Sequence, residues 1–321
     1  EIFKMGSESR NRYLLKNTLI FTLGNIGSRM ISFFLIPLYT NVLTTSQYGT
    51  VDLITTISTV AGPMLTLNIA ESVMRFGLDK DADKEKNTQC GSIVLLIAMI
   101  IGLVLIPICR CITEVSDYAM YVYFYVISLS ASQLFLCDLR GKELLLKYSL
   151  GNILQTLMIA ILNITFLLVF KMETGGYLLA YIIANFIVAI YAIIAGKGYK
   201  AFSFHNIDRC KLKEMIRYSV VLIPNTFMWW IMNSSDRVMV TYMIGAAANG
   251  IYAVSYKLPT LVSTLTGIFN QAWSYSAIRE EGTSDETEYN NKMFKTLSAI
   301  AFMMGIGLLL LTKTILGSLC G

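Results

Sequence analysis

The stretches 89–109, 118–137, 150–170 and 176–196 contain no charged residue. Each is long enough to cross the hydrocarbon core of a bilayer, which takes a helix of about 20 residues. A soluble domain spreads charge over its surface and is typically about 25% charged. Here charged residues make up 15% of the 321-residue chain and hydrophobic residues 55%, and the charges cluster between apolar runs. That pattern predicts an all-α polytopic membrane protein.

Nine spans are expected, near 14–38, 51–75, 89–109, 118–137, 150–170, 176–196, 215–240, 249–275 and 293–316. Spans one, two, seven and eight are interrupted by charge: Arg29; Asp52 and Glu71; Asp236 and Arg237; and Lys257. The Lys and Arg residues set the expected orientation. With the N-terminus in the cytoplasm, 20 of the 26 fall in cytoplasmic segments, 3 in external ones and 3 within spans. The basic, aromatic stretch "KGYKAFSFHNIDRCKLKE" suggests a surface-lying amphipathic linker. The six cysteines form no CxxC pair, and the one histidine is His205. Neither metal nor disulfide chemistry is expected, and no cofactor or nucleic-acid partner.

The chain repeats itself. Residues 14–54 align without gaps at an offset of 201, which places Lys16 on Arg217, Thr40 on Thr241 and Gly49 on Gly250. Six spans separate the copies, so both have the same orientation, as in parallel repeats related by an axis along the membrane normal. The expected organisation is a six-helix lobe over 1–197, a cytoplasmic linker over 198–214 and three helices of a second lobe over 215–321. Three spans where six are expected point to a truncated product or a fragment. Pro63 and Pro259 lie within the second helix of each half, and each is expected to kink its helix.

Several stretches resemble a known family. The opening "LLKNTLIFTLGNIGSRMISFFLIPLYTNVLTTSQYGTVDL" resembles the start of polysaccharide biosynthesis proteins of the Wzx flippase type, in the multidrug/oligosaccharidyl-lipid/polysaccharide exporter superfamily. "ESVMRFGLDKD", "NSSDRVMVTYMIGAAANGIYAVSYKLP" and "NQAWSYSAIRE" look like that family's first cytoplasmic loop, its span seven and the end of its span eight. The resemblance implies a two-lobe transporter fold around a central cavity in the bacterial cytoplasmic membrane. The implied substrate is an undecaprenyl-diphosphate-linked glycan moved to the outer leaflet, with H⁺ or Na⁺ as coupling ion and polysaccharide polymerase machinery as a partner. It does not imply an enzyme, and no nucleophile–base pair is visible in the sequence.

The charges within spans are the candidate site residues. Arg29, Arg237 and Lys257 could hold a lipid diphosphate, since guanidinium forks bind such oxygens well. Alternatively, Asp236 and Glu71 could neutralise two of these cations. Glu71, Asp52 and Asp236 are candidates for ion coupling. Against this, Asp52 lies one turn from the outer loop, and Glu71 is spaced i,i+4 from Arg75 as an intrahelical pair. Trp229 and Trp230 lie near mid-bilayer, where they could stack on sugars. Asn25 and Asn233 could bond sugar hydroxyls or merely neighbouring helices. Asp236 is expected to temper Arg237, with the tryptophans facing the glycan path. The competing functions are export of small cationic drugs, flipping of a peptidoglycan lipid precursor, or an inactive truncated product.

Overall fold

The computed structural model describes residues 35–79, 82–110, 116–202 and 208–257, with short stretches between 259 and 310. Among the described residues all regular structure is helical. The helices are α1 (Ile36–Val42), α2 (Thr45–Leu65), α3 (Ile69–Gly77), α4 (Lys84–Arg110), α5 (Ala119–Gly141), α6 (Leu145–Ile164), α7 (Glu173–Ala195), α8 (Arg209–Met243) and α9 (246–257).

Four segments are long and apolar enough to cross a membrane: Lys84–Pro107, Ser116–Gly141, Leu145–Val169 and Glu173–Ala195. Helices α2 and α3 together make a fifth, bent by 60°. The protein is therefore an all-α, multi-pass membrane protein. At 35 residues, α8 extends roughly 52 Å. Its basic first turns therefore reach beyond a ~30 Å hydrocarbon core.

Local chemistry sets the helix ends. Thr44 and Gln47 form a reciprocal capping box that starts α2. Asp208 accepts the Lys211 N–H at 3.0 Å and starts α8. The expected single second span is instead two helices. Pro63 sits in the last turn of α2, and the break follows at Leu67 and Asn68, both left-handed at φ 52° and 54°. Two consecutive non-glycine residues in that conformation turn the chain in a way that a proline kink within a continuous helix cannot.

The basic loops gather at one end of the bundle, where α3, α5 and α7 finish and α4, α6 and α8 begin. Small residues let the helices approach closely here. A Cβ on Gly77 would lie 2.8 Å from the Gly141 Cα. The Ser72 hydroxyl lies 2.7 Å from the Met215 carbonyl and 2.6 Å from the Ser219 hydroxyl, tying α3 to α8. One apolar core, around Val73, Leu134, Leu139 and Met215, fills this half. A second, around Tyr39, Val51, Leu53 and Leu178, fills the far half.

A buried ion pair locks the basic end. The Lys142 ammonium donates to Asp138 at 2.6 Å and to the Gly196 carbonyl at 3.0 Å, while Thr88 donates to Asp138 at 2.5 Å. Lys147 donates to the Ala195 carbonyl at 2.7 Å. Two cations thus satisfy the last carbonyls of α7, where the helix dipole favours positive charge. Asp138→Ala would leave Lys142, 13% exposed, without its carboxylate. The expected loss is about 3 kcal/mol of stability, read as a lower melting temperature in detergent. Adding Lys142→Met to that variant should recover most of it.

Candidate functional site

Two features stand out, one in each half of the bundle. At the far end, the start of α2 crosses the start of α9. A Cβ on Gly49 would lie 1.8 Å from the Ala246 carbonyl oxygen, and a Cβ on Gly250 would lie 2.0 Å from the Thr45 carbonyl oxygen. Only glycine permits this approach. The contact is reciprocal: at the 201-residue offset of the repeat, Gly49 corresponds to Gly250 and Thr45 to Ala246. Equivalent residues meeting each other in this way is what a two-fold relation between the copies produces.

One turn deeper lies a layer of buried charge. Arg237 on α8 donates to Asp52 on α2 at 3.0 Å and approaches the Thr56 hydroxyl at 3.4 Å. Its guanidinium carbon sits 5.0 Å from the centre of the Tyr256 ring. The Asn249 amide donates to the Gly49 carbonyl at 2.9 Å and lies 3.4 Å from Asp52. Asp52 is 6% exposed and Asn249 fully buried. Buried ion pairs hold firmly only when every remaining donor and acceptor is satisfied. Here the Arg237 Nε and the Asn249 Oδ1 have no partner among the described residues. The layer is closed but incompletely bonded.

In the basic half, α3, α5, α6 and α8 surround a cavity of about 730 Å³. Asn68, Glu71, Gln133, Asn152, Gln155 and Asn225 line it, with Tyr148 and Tyr218. Asn68 donates to Thr226 at 3.2 Å and Gln155 to Asn185 at 2.6 Å. The side chains of Glu71, Gln133, Asn152 and Asn225 have no hydrogen-bond partner among the described residues.

The structure redistributes the residues expected from sequence. Arg29 and Asn25 lie outside the described residues. Asp52 is not wet; α9 packs across it and it pairs with Arg237. Asp236 does not temper the Arg237 guanidinium. Adjacent residues on a helix point about 100° apart, so Asp236 instead accepts a hydrogen bond from Tyr252. Lys257 lies on α9, one residue after Tyr256, and forms no ion pair with a described residue. Glu71 does not pair with Arg75, which bonds Asp79 at 2.6 Å; Glu71 lines the cavity instead.

The tryptophans do not line the cavity. Trp230 donates its indole N–H to the Thr56 carbonyl at 2.9 Å, fastening α8 to α2. Trp229 is 59% exposed. Asn233 donates to the Trp229 carbonyl of its own helix at 2.7 Å. Sequence reasoning missed Thr56 and Asn249 in the charged layer. Gln133 and Asn152 bring α5 and α6 into the cavity. The available signal was Gln133 in one apolar span and Asn152 with Gln155 in the next.

Comparison with protein families matches residues 14–278 to the model described as polysaccharide biosynthesis protein. No curated protein and no solved structure matches the chain.

Proposed function

Because the chain belongs to the polysaccharide biosynthesis protein family, we propose that it is a flippase. In this reading it moves undecaprenyl-diphosphate-linked oligosaccharide units from the cytoplasmic to the outer leaflet by alternating access, coupled to H⁺ or Na⁺. The observation that carries the reading is the pairing of a polar cavity in one half of the bundle with a sealed crossing in the other. The excess of Lys and Arg at the cavity end supports placing that end in the cytoplasm. The molecule is then a cytoplasm-facing state of a transporter in the bacterial inner membrane. Opening the crossing between α2 and α9 would expose the cavity to the other side. Polymerase machinery would act on the product.

The test uses proteoliposomes containing a fluorescent lipid-linked oligosaccharide and dithionite added outside. The expected result is quenching of the inner-leaflet pool faster than in protein-free vesicles, with a further increase under a proton or Na⁺ gradient. A rate equal to that of empty vesicles under every gradient would overturn the proposal. The lone carboxylate of Glu71 in the cavity favours a second reading, export of cationic drugs. Gradient-driven ethidium transport without glycolipid movement would select that reading.

A further inference from the structure

The cavity combines two properties that bear on its ligand. The first is an excess of unsatisfied hydrogen-bonding capacity. Gln133 lies on α5 and Asn152 on α6, each roughly 10–12 Å from the basic end at 1.5 Å per residue. Both belong to segments apolar enough to cross a membrane. Polar groups at that depth are costly unless bonded to protein, water or ligand. The Gln133, Asn152 and Asn225 side chains have no protein partner among the described residues. The second property is charge. Glu71 is the one charged residue among the described lining residues, which include no Lys or Arg. Glu71 sits in the first turn of α3, where the helix's free N–H groups favour a negative charge.

We propose that this cavity is a binding site for uncharged sugars, bonded through the Gln133, Asn152 and Asn225 amides and the Glu71 carboxylate, and that it rejects uronic acids and phosphate. Each side-chain amide offers two donors and an acceptor oxygen with two lone pairs. That set matches sugar hydroxyls and N-acetyl groups. A carboxylate accepts from neighbouring hydroxyls but repels an acidic sugar, and the described lining supplies no cation to offset the repulsion. The diphosphate of a glycolipid must then be held elsewhere, so the cavity takes the glycan and not its anchor. The inference rests on the flippase reading for the presence of a glycan ligand. Its charge selectivity rests on the lining residues alone.

The experiment is saturation-transfer NMR on the full chain in nanodiscs, with two probes of equal size. One is N,N′-diacetylchitobiose, which is uncharged; the other is the glucuronate–N-acetylglucosamine disaccharide of hyaluronan. The unaltered protein should saturate the first at least about tenfold more strongly than the second, a ratio within reach of one or two altered polar contacts. Gln133→Ala with Asn152→Ala should remove most of the chitobiose signal. Glu71→Gln, which keeps the shape and a hydrogen-bonding group, should raise the hyaluronan disaccharide to near parity. That gain is one that a loss of folding cannot mimic. Equal saturation of both probes by the unaltered protein, no chitobiose signal, or Glu71→Gln without gain of the acidic probe would each overturn the inference. These outcomes are separable from failure of the flippase reading, which is decided by glycolipid movement in vesicles whatever the disaccharides do.

Discussion

Gly49→Leu and Gly250→Leu are each expected to abolish glycolipid translocation, and the milder Gly→Ala changes should already lower stability by about 3 kcal/mol or more. The obstacles are backbone carbonyls, at 1.8 Å from a Cβ on residue 49 and 2.0 Å from a Cβ on residue 250. Ordinary carbon contacts begin near 3.5 Å, and a backbone carbonyl cannot rotate aside as a side chain can. Helices α2 and α9 must therefore separate by roughly 1.5 Å. Separation also draws the Asn249 amide away from the Gly49 carbonyl and loosens the charged layer beneath it. Gly198→Ala serves as the control, since a Cβ there meets its nearest neighbours at an ordinary 3.6 Å. Melting temperature and dithionite quenching measure the two effects. Unchanged stability in both alanine variants would show that the crossing is not tight.

Arg237→Ala is expected to cost about 3–5 kcal/mol, because it strands the Asp52 carboxylate in a buried site. Asp52 then keeps the 3.4 Å approach of Asn249 and the more distant attraction of the Lys257 charge. The charge-neutral variant Asp52→Asn with Arg237→Met should recover most of that loss, since both desolvated charges are gone. Urea or thermal unfolding of Asp52→Asn, Arg237→Met and the double variant forms a cycle. A coupling energy near zero would mean that the pair contributes nothing to closure. Translocation by the double variant separates stability from mechanism. A layer that must break and re-form in each cycle should turn over differently once its charges are replaced by apolar packing.

The four charge-free spans were legible in the sequence because the cost of charge in a bilayer leaves long blank stretches, and 89–109 falls within α4 and 176–195 within α7. The crossing of Gly49 with Gly250 was partly legible, since the repeat already placed one glycine on the other. Ion pairing was not. The sequence offers Arg237 a neighbour at 236 and Arg75 a carboxylate at 71, but the arginines bond Asp52 and Asp79. Sequence proximity says nothing about a partner that lies 185 residues away in the chain. The break at Leu67 and Asn68 was hidden for a related reason. Leucine carries no signal for left-handed backbone, and Pro63 a few residues earlier offered a more familiar cause for a bend. The cavity was not legible, because its amides come from α3, α5, α6 and α8 and only the packing of four helices brings them together.

In the proposed flippase, the far-end crossing is a gate that opens when the cavity is loaded. Spin labels at Ser46 and Ile251, both exposed and flanking the glycine contact, report the separation of α2 and α9 directly in a cysteine-free background. Without ligand, one short distance is predicted. On adding lipid-linked oligosaccharide, a second and longer distance should appear, and Arg237→Ala should populate it even without ligand. A single short distance under all three conditions, in protein that still moves glycolipid, would contradict the account.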